Sequence, residues 1–273
     1  MSIDRYAVMG NPIKHSKSPQ IHKAFAEQTD QHMTYTSMLV PEDSFEDAVR
    51  KFFAEGGKGL NITVPFKIRA YELSDELTER AQRAKAVNTL LIRNNGSIVG
   101  DNTDGAGLVR DIMHNHDGRL GGKKILVVGA GGAVRGVLAP ILAEKPALVV
   151  LTNRTFEKAY HLAEEFQDLG RIEAVHMNQL KGPFNWIING TSASLHGDLP
   201  PLPESVIGEH TRVYDMMYGK DITPFNAWAK DYGAEKAFDG LGMLVEQAAE
   251  SFRQWRGVMP STPTVISDLR ASI

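Results

Sequence analysis

The chain contains no cysteine. That excludes disulfide staples, thiolate metal sites and a cysteine nucleophile, and it suits a reducing compartment. An excess of either charge is also lacking: 30 Lys+Arg against 33 Asp+Glu leave a net charge of −3 and a pI near 6.3. A general polyanion binder is usually basic, so nucleic acid is not an expected partner. Long apolar runs are missing too. The longest, at 125–128 and 147–151, are strand-sized and far below the roughly 20 residues of a membrane span. The opening MSIDRYAVMGNP sets charged residues before any apolar run, so no signal peptide is expected. The expected setting is the cytoplasm, away from membranes.

What is present is ordinary globular material: 273 residues, 42% hydrophobic and 23% charged, nearer two domains than one. Short apolar runs, glycine or polar turns and helical patterns alternate without an internal repeat, which predicts an α/β fold with mainly parallel sheets. In the first half, strands are expected at 6–9, 34–39 and 60–64, the last broken by Pro65. A helix is expected at 19–28, with Ser18 as N-cap and Pro19 in its first turn. Another is expected at 45–54, where Phe45, Val49, Phe52 and Phe53 recur at helical spacing before Gly56-Gly57. Helical patterns continue to about 86, and Asn94-Asn95-Gly96 marks a hairpin between strands at 89–92 and 97–100.

The second half opens at Gly121-Gly122 with a buried strand at 125–128 and a helix at 133–143 that Pro140 is expected to kink. A strand at 147–151, a helix at 156–166 and strands at 172–176, 186–188 and 213–215 follow. A helical pattern through Met243, Val245, Ala248, Phe252 and Trp255 meets no glycine until Gly257, and it is expected to return to the first domain. The expected organisation is a substrate domain over 1–105, completed by 241–273, and a nucleotide domain over 106–240.

Gly129-Ala130-Gly131-Gly132-Ala133 follows a predicted strand and opens a predicted helix, the context of a Rossmann-type dinucleotide turn. The first glycine permits the tight turn, the second lets the backbone approach a pyrophosphate, and the helix N-terminus receives its charge. Val134 stands where that fingerprint usually has Gly or Ala. At the end of the next strand, Asn153-Arg154-Thr155 replaces the carboxylate that would accept from an NAD ribose. Arg154 can donate twice to a 2′-phosphate and stack on adenine, with Lys158 one helical turn on, so the expected cofactor is NADP rather than NAD. A plain glycine turn and a solvent-facing arginine are the blander alternatives.

A nicotinamide cofactor exchanges hydride, so a proton must move at the other end of the C–O bond. Lys67, closing Asn61-Ile62-Thr63-Val64-Pro65-Phe66-Lys67, and Asp104, within Asn102-Thr103-Asp104-Gly105, are the candidate pair. Taken singly, Lys67 reads as a surface cation and Asp104 as a helix N-cap.

Together these motifs resemble the shikimate dehydrogenase family. Gly10-Asn11-Pro12-Ile13-Lys14-His15-Ser16-Lys17-Ser18-Pro19, the 61–67 segment, Ala86-Val87-Asn88-Thr89, the 102–105 segment and the 129–133 turn match in order. So do Asn153-Arg154-Thr155, Asn189-Gly190-Thr191-Ser192, Asp215-Met216-Met217-Tyr218 and Asp239-Gly240-Leu241-Gly242-Met243, across nearly the whole chain. The resemblance implies reversible NADPH-dependent reduction of 3-dehydroshikimate to shikimate, in aromatic amino acid biosynthesis. It implies that Ser16, Ser18 and Tyr218 donate to the substrate carboxylate, and that Asn61, Thr63, Asn88 and Gln247 meet ring hydroxyls. Lys67, paired with Asp104, becomes the general acid on reduction and the base on oxidation. For NADP it implies contacts from Glu79, Gly129, Ala130, Gly131, Gly132, Ala133, Asn153, Arg154, Thr155, Lys158, Thr191, Met216 and Gly240.

Two alternatives stay open: a broader quinate/shikimate dehydrogenase, and a non-catalytic NADP(H)-binding sensor on the same fold. His15 and His22 have no carboxylate beside them at ligand spacing, so no metal is expected. His22 is expected at the helix surface or between the domains. The sequence leaves the oligomeric state open, a homodimer included.

Overall fold

The computed structural model describes residues 3–193 and 197–273. The chain separates into two units, Met1–Gly107 with Val245–Asp268, and Leu108–Leu244 with Leu269–Ile273.

The first unit is built on a six-stranded mixed sheet. Its elements are β1 (Asp4–Gly10), α1 (Ser18–Gln28), β2 (Met33–Leu39), α2 (Phe45–Ala54), β3 (Gly57–Ile62), α3 (Lys67–Leu73), β4 (Glu76–Leu77), α4 (Glu79–Ala84), β5 (Thr89–Ile92), β6 (Ile98–Asp101) and α5 (Asp104–Arg110). The order across the sheet is β2-β1-β3-β5-β6-β4. β1 pairs in parallel with β2 and β3, whereas β5 runs antiparallel to β3 and β6. The β5–β6 hairpin turns at Gly96, whose φ of 86° suits only a residue without a side chain. The stripe read from the sequence on α2 is buried: Phe45, Val49, Phe52 and Phe53 join Leu60, Phe66 and Leu90 in one core. β3 ends at Ile62, two residues earlier than expected, because 63–66 close a turn in which the Phe66 amide donates to the Thr63 carbonyl (3.0 Å). Helix α1 starts at Ser18 and has no side-chain cap. The expected Ser18 cap does not form, since Ser18 is already the first helical residue and Lys17 stands at the cap position.

The second unit carries β7 (Lys124–Val128), α6 (Gly132–Ala143), β8 (Leu148–Thr152), α7 (Phe156–Phe166), β9 (Ile172–Ala174), β10 (Trp186–Asn189), β11 (Arg212–Asp215), α8 (Pro224–Asp231) and β12 (Lys236–Asp239). All six strands are parallel, in the order β12-β11-β10-β7-β8-β9. Their apolar runs are buried on both faces, as a parallel sheet flanked by helices requires. α6 continues through Pro140 as one helix. The topological switch lies between β7 and β10, the place where such sheets bind ligands beyond the strand carboxyl ends.

α9 (Leu241–Arg256) and α10 (Pro263–Ala271) finish the chain. From Val245 onward α9 belongs to the first unit, where the Trp255 indole donates to the Leu90 carbonyl (3.1 Å) and Arg256 pairs with Asp4 (2.5 Å). The end of β6 is fixed by a buried ionic cluster: Asp101 accepts from Arg80 (2.8 Å at Nε), Thr78 and Gln254, and Arg80 also meets Glu250 on α9 (3.0 Å). Burial pushes the Asp101 carboxyl upward, but the Arg80 guanidinium outweighs it and holds the group below the usual carboxylate range. Arg80→Ala leaves a fully buried carboxylate without its cation, and the expected loss is about 3–5 kcal/mol in a urea titration. Arg253→Ala, which removes a half-exposed guanidinium from Glu250, should cost under about 1 kcal/mol.

Candidate active site

Three segments of the first unit converge at the carboxyl ends of β3 and β6. Lys67 is the first residue of α3, placed there by the turn after β3, and Asp104 is the first residue of α5. Lys67 Nζ lies 2.6 Å from Asp104 Oδ2, with the lysine side chain 34% and the aspartate 18% exposed. The second carboxylate oxygen accepts from Asn88 Nδ2 (2.8 Å). Asn88 is itself fixed: its Oδ1 accepts from the Thr103 amide (2.9 Å) and from Thr89 Oγ1 (2.9 Å), and its amide group also reaches Gln247 Oε1 (3.2 Å). The result is one partly exposed lysine amine held by a carboxylate whose other oxygen is already occupied. That is the geometry of a proton donor and acceptor rather than of a loose surface lysine.

Behind this pair, Asn61 is buried and bonded on every side. Its Oδ1 accepts from Tyr35 Oη (2.7 Å) and from His22 Nε2 (3.1 Å). Its Nδ2 faces the Asn88 carbonyl, Thr89 Oγ1 and Ser251 Oγ at 3.1–3.2 Å. Because Oδ1 only accepts, His22 carries its proton on Nε2, and Nδ1 is left buried without a partner. Burial drives the His22 pKa down to about 3, against the hydrogen bond to Asn61, so the ring is neutral at physiological pH. This corrects the expectation of a surface or interdomain histidine. His22 is fully buried inside the first unit, stacked on Tyr35 (4.1 Å) and close to Trp255 (5.3 Å).

Tyr35, Thr89, Thr103 and Ser251 were not singled out from the sequence. Thr89 and Thr103 stood inside quoted motifs and Ser251 one helical turn beyond Gln247, which was the available signal. Tyr35 carried none. Of the other residues anticipated here, Ser16 is half-buried in the loop entering α1 and Ser18 half-buried at the first position of α1, where its amide donates to Ser16 Oγ (3.3 Å). Thr63 stands in the turn before Lys67, and Glu79 is exposed in the first turn of α4.

In the second unit the Gly129–Ala133 segment forms the β7–α6 turn. Gly129 has φ 113°, and its amide donates to the Thr152 carbonyl of β8 (2.8 Å). Gly131 and Gly132 are exposed, and a Cβ on either would meet nothing within 4 Å. No side chain caps the start of α6. An open backbone at an uncapped helix N-terminus fits a pyrophosphate. Val134 is fully buried, and a Cβ on Gly190 would overlap its Cγ2. The close helix–strand approach usually given by a small residue on the helix is here given by Gly190 across from it. Arg154 and Lys158 are exposed at the start of α7 with no carboxylate partner among the described residues, while Asn153 Nδ2 donates to the Thr155 carbonyl (2.8 Å) and ties the turn. Unpaired cations at this strand end fit a 2′-phosphate.

Thr191 folds back on Asn189 (Oγ1 to Oδ1, 2.8 Å), and Asn189 in turn bonds Asp215 (3.1 Å). Met216 is buried, and a Cβ on Gly240 would overlap the Met216 carbonyl, so that position admits only glycine. Tyr218 is largely buried, and burial followed by the charge of Asp239 raises its phenol above the usual range.

Residues 8–90 match the shikimate dehydrogenase substrate binding domain, residues 111–196 the shikimate/quinate 5-dehydrogenase domain and residues 240–269 the shikimate 5′-dehydrogenase C-terminal domain. The chain is 60% identical to the NADP(+) shikimate dehydrogenase of Alkalilimnicola ehrlichii over 267 residues, 98% of each chain. Among solved structures it is similar to an Ael1 enzyme from Pseudomonas putida, with 49% identity and a TM-score of 0.94 over 97% of this chain and 98% of that one. It is also similar to the Thermus thermophilus shikimate 5-dehydrogenase in complex with NADP(H) and shikimate, with 32% identity and a TM-score of 0.86 over 99% and 100%.

The Val134–Gly190 contact is open to test. Gly190→Ala is expected to lower stability by about 1–3 kcal/mol in thermal unfolding. Val134→Ala in the same chain should recover part of that loss, which a contact-free glycine would not allow.

Proposed function

The chain belongs to the shikimate dehydrogenase family, and from that membership we propose that it interconverts 3-dehydroshikimate and shikimate with NADP(H). The observation that carries the reading is the Lys67–Asp104 pair at 2.6 Å with its second carboxylate oxygen held by Asn88. Bound NADPH supplies a hydride to the ketone carbon. Lys67 Nζ gives its proton to the carbonyl oxygen during reduction and takes it back during oxidation. Asp104 keeps the ammonium aimed and stabilises its charge, and Asn88 keeps the carboxylate from turning away.

Ser16, Ser18 and Tyr218 are the donors we assign to the substrate carboxylate, and Thr63, Asn88 and Gln247 those to the ring hydroxyls. A site of this kind rejects analogues that leave its polar groups unpaired. Asn61 joins the ring-hydroxyl group as assigned from the family pattern; like Asn88 it has both ends of its carboxamide engaged inside the protein, so each would exchange a partner to meet a ring hydroxyl. The glycine turn at 129–133 would receive the pyrophosphate, and Arg154 and Lys158 the 2′-phosphate. Glu79, Asn153, Thr155, Thr191, Met216 and Gly240 are the remaining positions we assign to the cofactor.

The direct experiment is nicotinamide absorbance on mixing protein with shikimate and NADP+, repeated with NAD+ and with quinate. Rapid reduction confined to shikimate with NADP+ is the expected result. Turnover on quinate or with NAD+ would move the assignment to a broader dehydrogenase, and bound NADPH without any turnover would overturn catalysis. Lys67→Met is expected to lower kcat about 10²–10⁴-fold while KM stays near wild type. If KM alone rose, Lys67 would be a binding residue. Arg154→Ala should raise KM for NADP+ by about tenfold or more and leave that for NAD+ unchanged, since only the former carries the phosphate.

A further inference from the structure

Tyr218 stands on an irregular segment, 216–223, between β11 and α8, and the protein holds the two sides of that tyrosine very differently. On the near side the chain is tied to the strand ends. The Met216 amide donates to the Asn189 carbonyl (2.9 Å) and the Met217 amide to Asp215 Oδ1 (3.1 Å), while the Met217 carbonyl accepts from the Gly240 amide (3.1 Å). On the far side, among the described residues, the backbone from Gly219 to Ile222 takes part in one hydrogen bond. Arg270 Nη1 donates it to the Gly219 carbonyl (3.0 Å). Arg270 lies in the last turn of α10, and Nη2 of the same guanidinium donates to Asp239 Oδ1 at the end of β12. The Leu241 amide donates to that oxygen as well (3.2 Å). Asp239 is the carboxylate whose charge acts on the Tyr218 phenol.

We propose that Arg270 is a positioning residue for substrate binding, acting through Tyr218: it clamps the backbone on the far side of the tyrosine and occupies the carboxylate of Asp239. The proposal rests on the reading that Tyr218 donates to the substrate carboxylate. A donor that must meet an anion binds it best when the backbone is fixed on both sides, and one side of Tyr218 has only this bond. One planar guanidinium can hold a carbonyl and a carboxylate together because its terminal nitrogens point in fixed directions. Without it, Asp239 is free to draw the phenolic hydrogen toward itself and away from an incoming anion. An ion pair this exposed, with the arginine side chain 43% open, contributes little to folding by itself. Its use lies in what it holds. Neither effect reaches the carbon that exchanges hydride, so the contribution falls on KM and leaves kcat alone.

Shikimate oxidation with saturating NADP+, together with calorimetric titration of shikimate into the enzyme, tests this. Arg270→Ala is expected to raise both KM and the dissociation constant for shikimate about tenfold, with kcat and KM for NADP+ near wild type. Arg270→Lys should recover part of the loss, since it keeps the charge and one donor. Asp239→Asn added to Arg270→Ala should also recover part, because the amide oxygen still accepts from Leu241 while the negative charge is gone. In a Tyr218→Phe background Arg270→Ala should change shikimate affinity by less than about twofold, since the hydroxyl through which it acts is absent. A tenfold loss that persists in that background would overturn the proposal and leave Tyr218 its assigned place. Shikimate affinity indifferent to Arg270→Ala, or kcat and NADP+ affinity falling alongside it, would overturn it equally. If Tyr218→Phe itself left shikimate affinity unchanged, the reading of Tyr218 would fall first and the proposal with it.

Discussion

The placing of Lys67 in the first unit depends on the two-sided grip on Asp104, Lys67 at one carboxylate oxygen and Asn88 at the other. A lysine beside a carboxylate has many rotamers available, and only a carboxylate that cannot turn selects one of them. Asn88 is immobilised in turn by Thr89, Thr103 and Gln247, and Asn61 by Tyr35, His22 and Ser251. The hydrogen bonds run from α1 and β2, through β3 and β5, to α9. Low local dielectric strengthens each bond and makes any missing partner costly, so the network specifies a single arrangement.

The second unit meets a different demand. Its turn must leave backbone amides bare while the helix behind them packs tightly, and the same few residues serve both ends. Gly131 and Gly132 stay open toward solvent. Val134, one turn further in, fills the core, and the strand opposite gives way at Gly190. The departure from the usual glycine pattern is therefore a relocation of volume, with the open turn at Gly131 and Gly132 untouched.

The α/β class, the glycine turn, the hairpin at Gly96 and the buried face of α2 were legible because each rests on local chemistry: period, turn residues, strand-sized apolar runs. Lys67 and Asp104 became legible only as members of an ordered set of motifs, since a single lysine or aspartate has many plainer uses. Strand β12 was missed because Lys236 and Asp239 flank only two apolar residues, too short a pattern to read. His22 was misread because, Phe25 apart, the aromatic rings that bury it come from other elements of the fold. Phe252 and Trp255 lie more than 200 positions away. Arg80 and Asp101 escaped for the same reason: two ordinary charges 21 positions apart become a buried pair only when α4 packs on β6.

The division of the chain has a consequence for how it is made. Residues that complete the first unit begin at Val245, after the whole of the second has been synthesised. Until then Asn61 lacks Ser251, Asp101 lacks Gln254, and the Leu90 carbonyl lacks the Trp255 indole. At roughly 5–20 residues per second the ribosome adds the intervening stretch in on the order of ten seconds. Through that interval the groups that α9 partners in the finished unit are without those partners. The later-born half, contiguous over 108–244, has its own six strands to fold upon as it emerges. Order of birth and order of completion are thus reversed, and nascent-chain protection falls to whatever holds the first hundred residues while they wait.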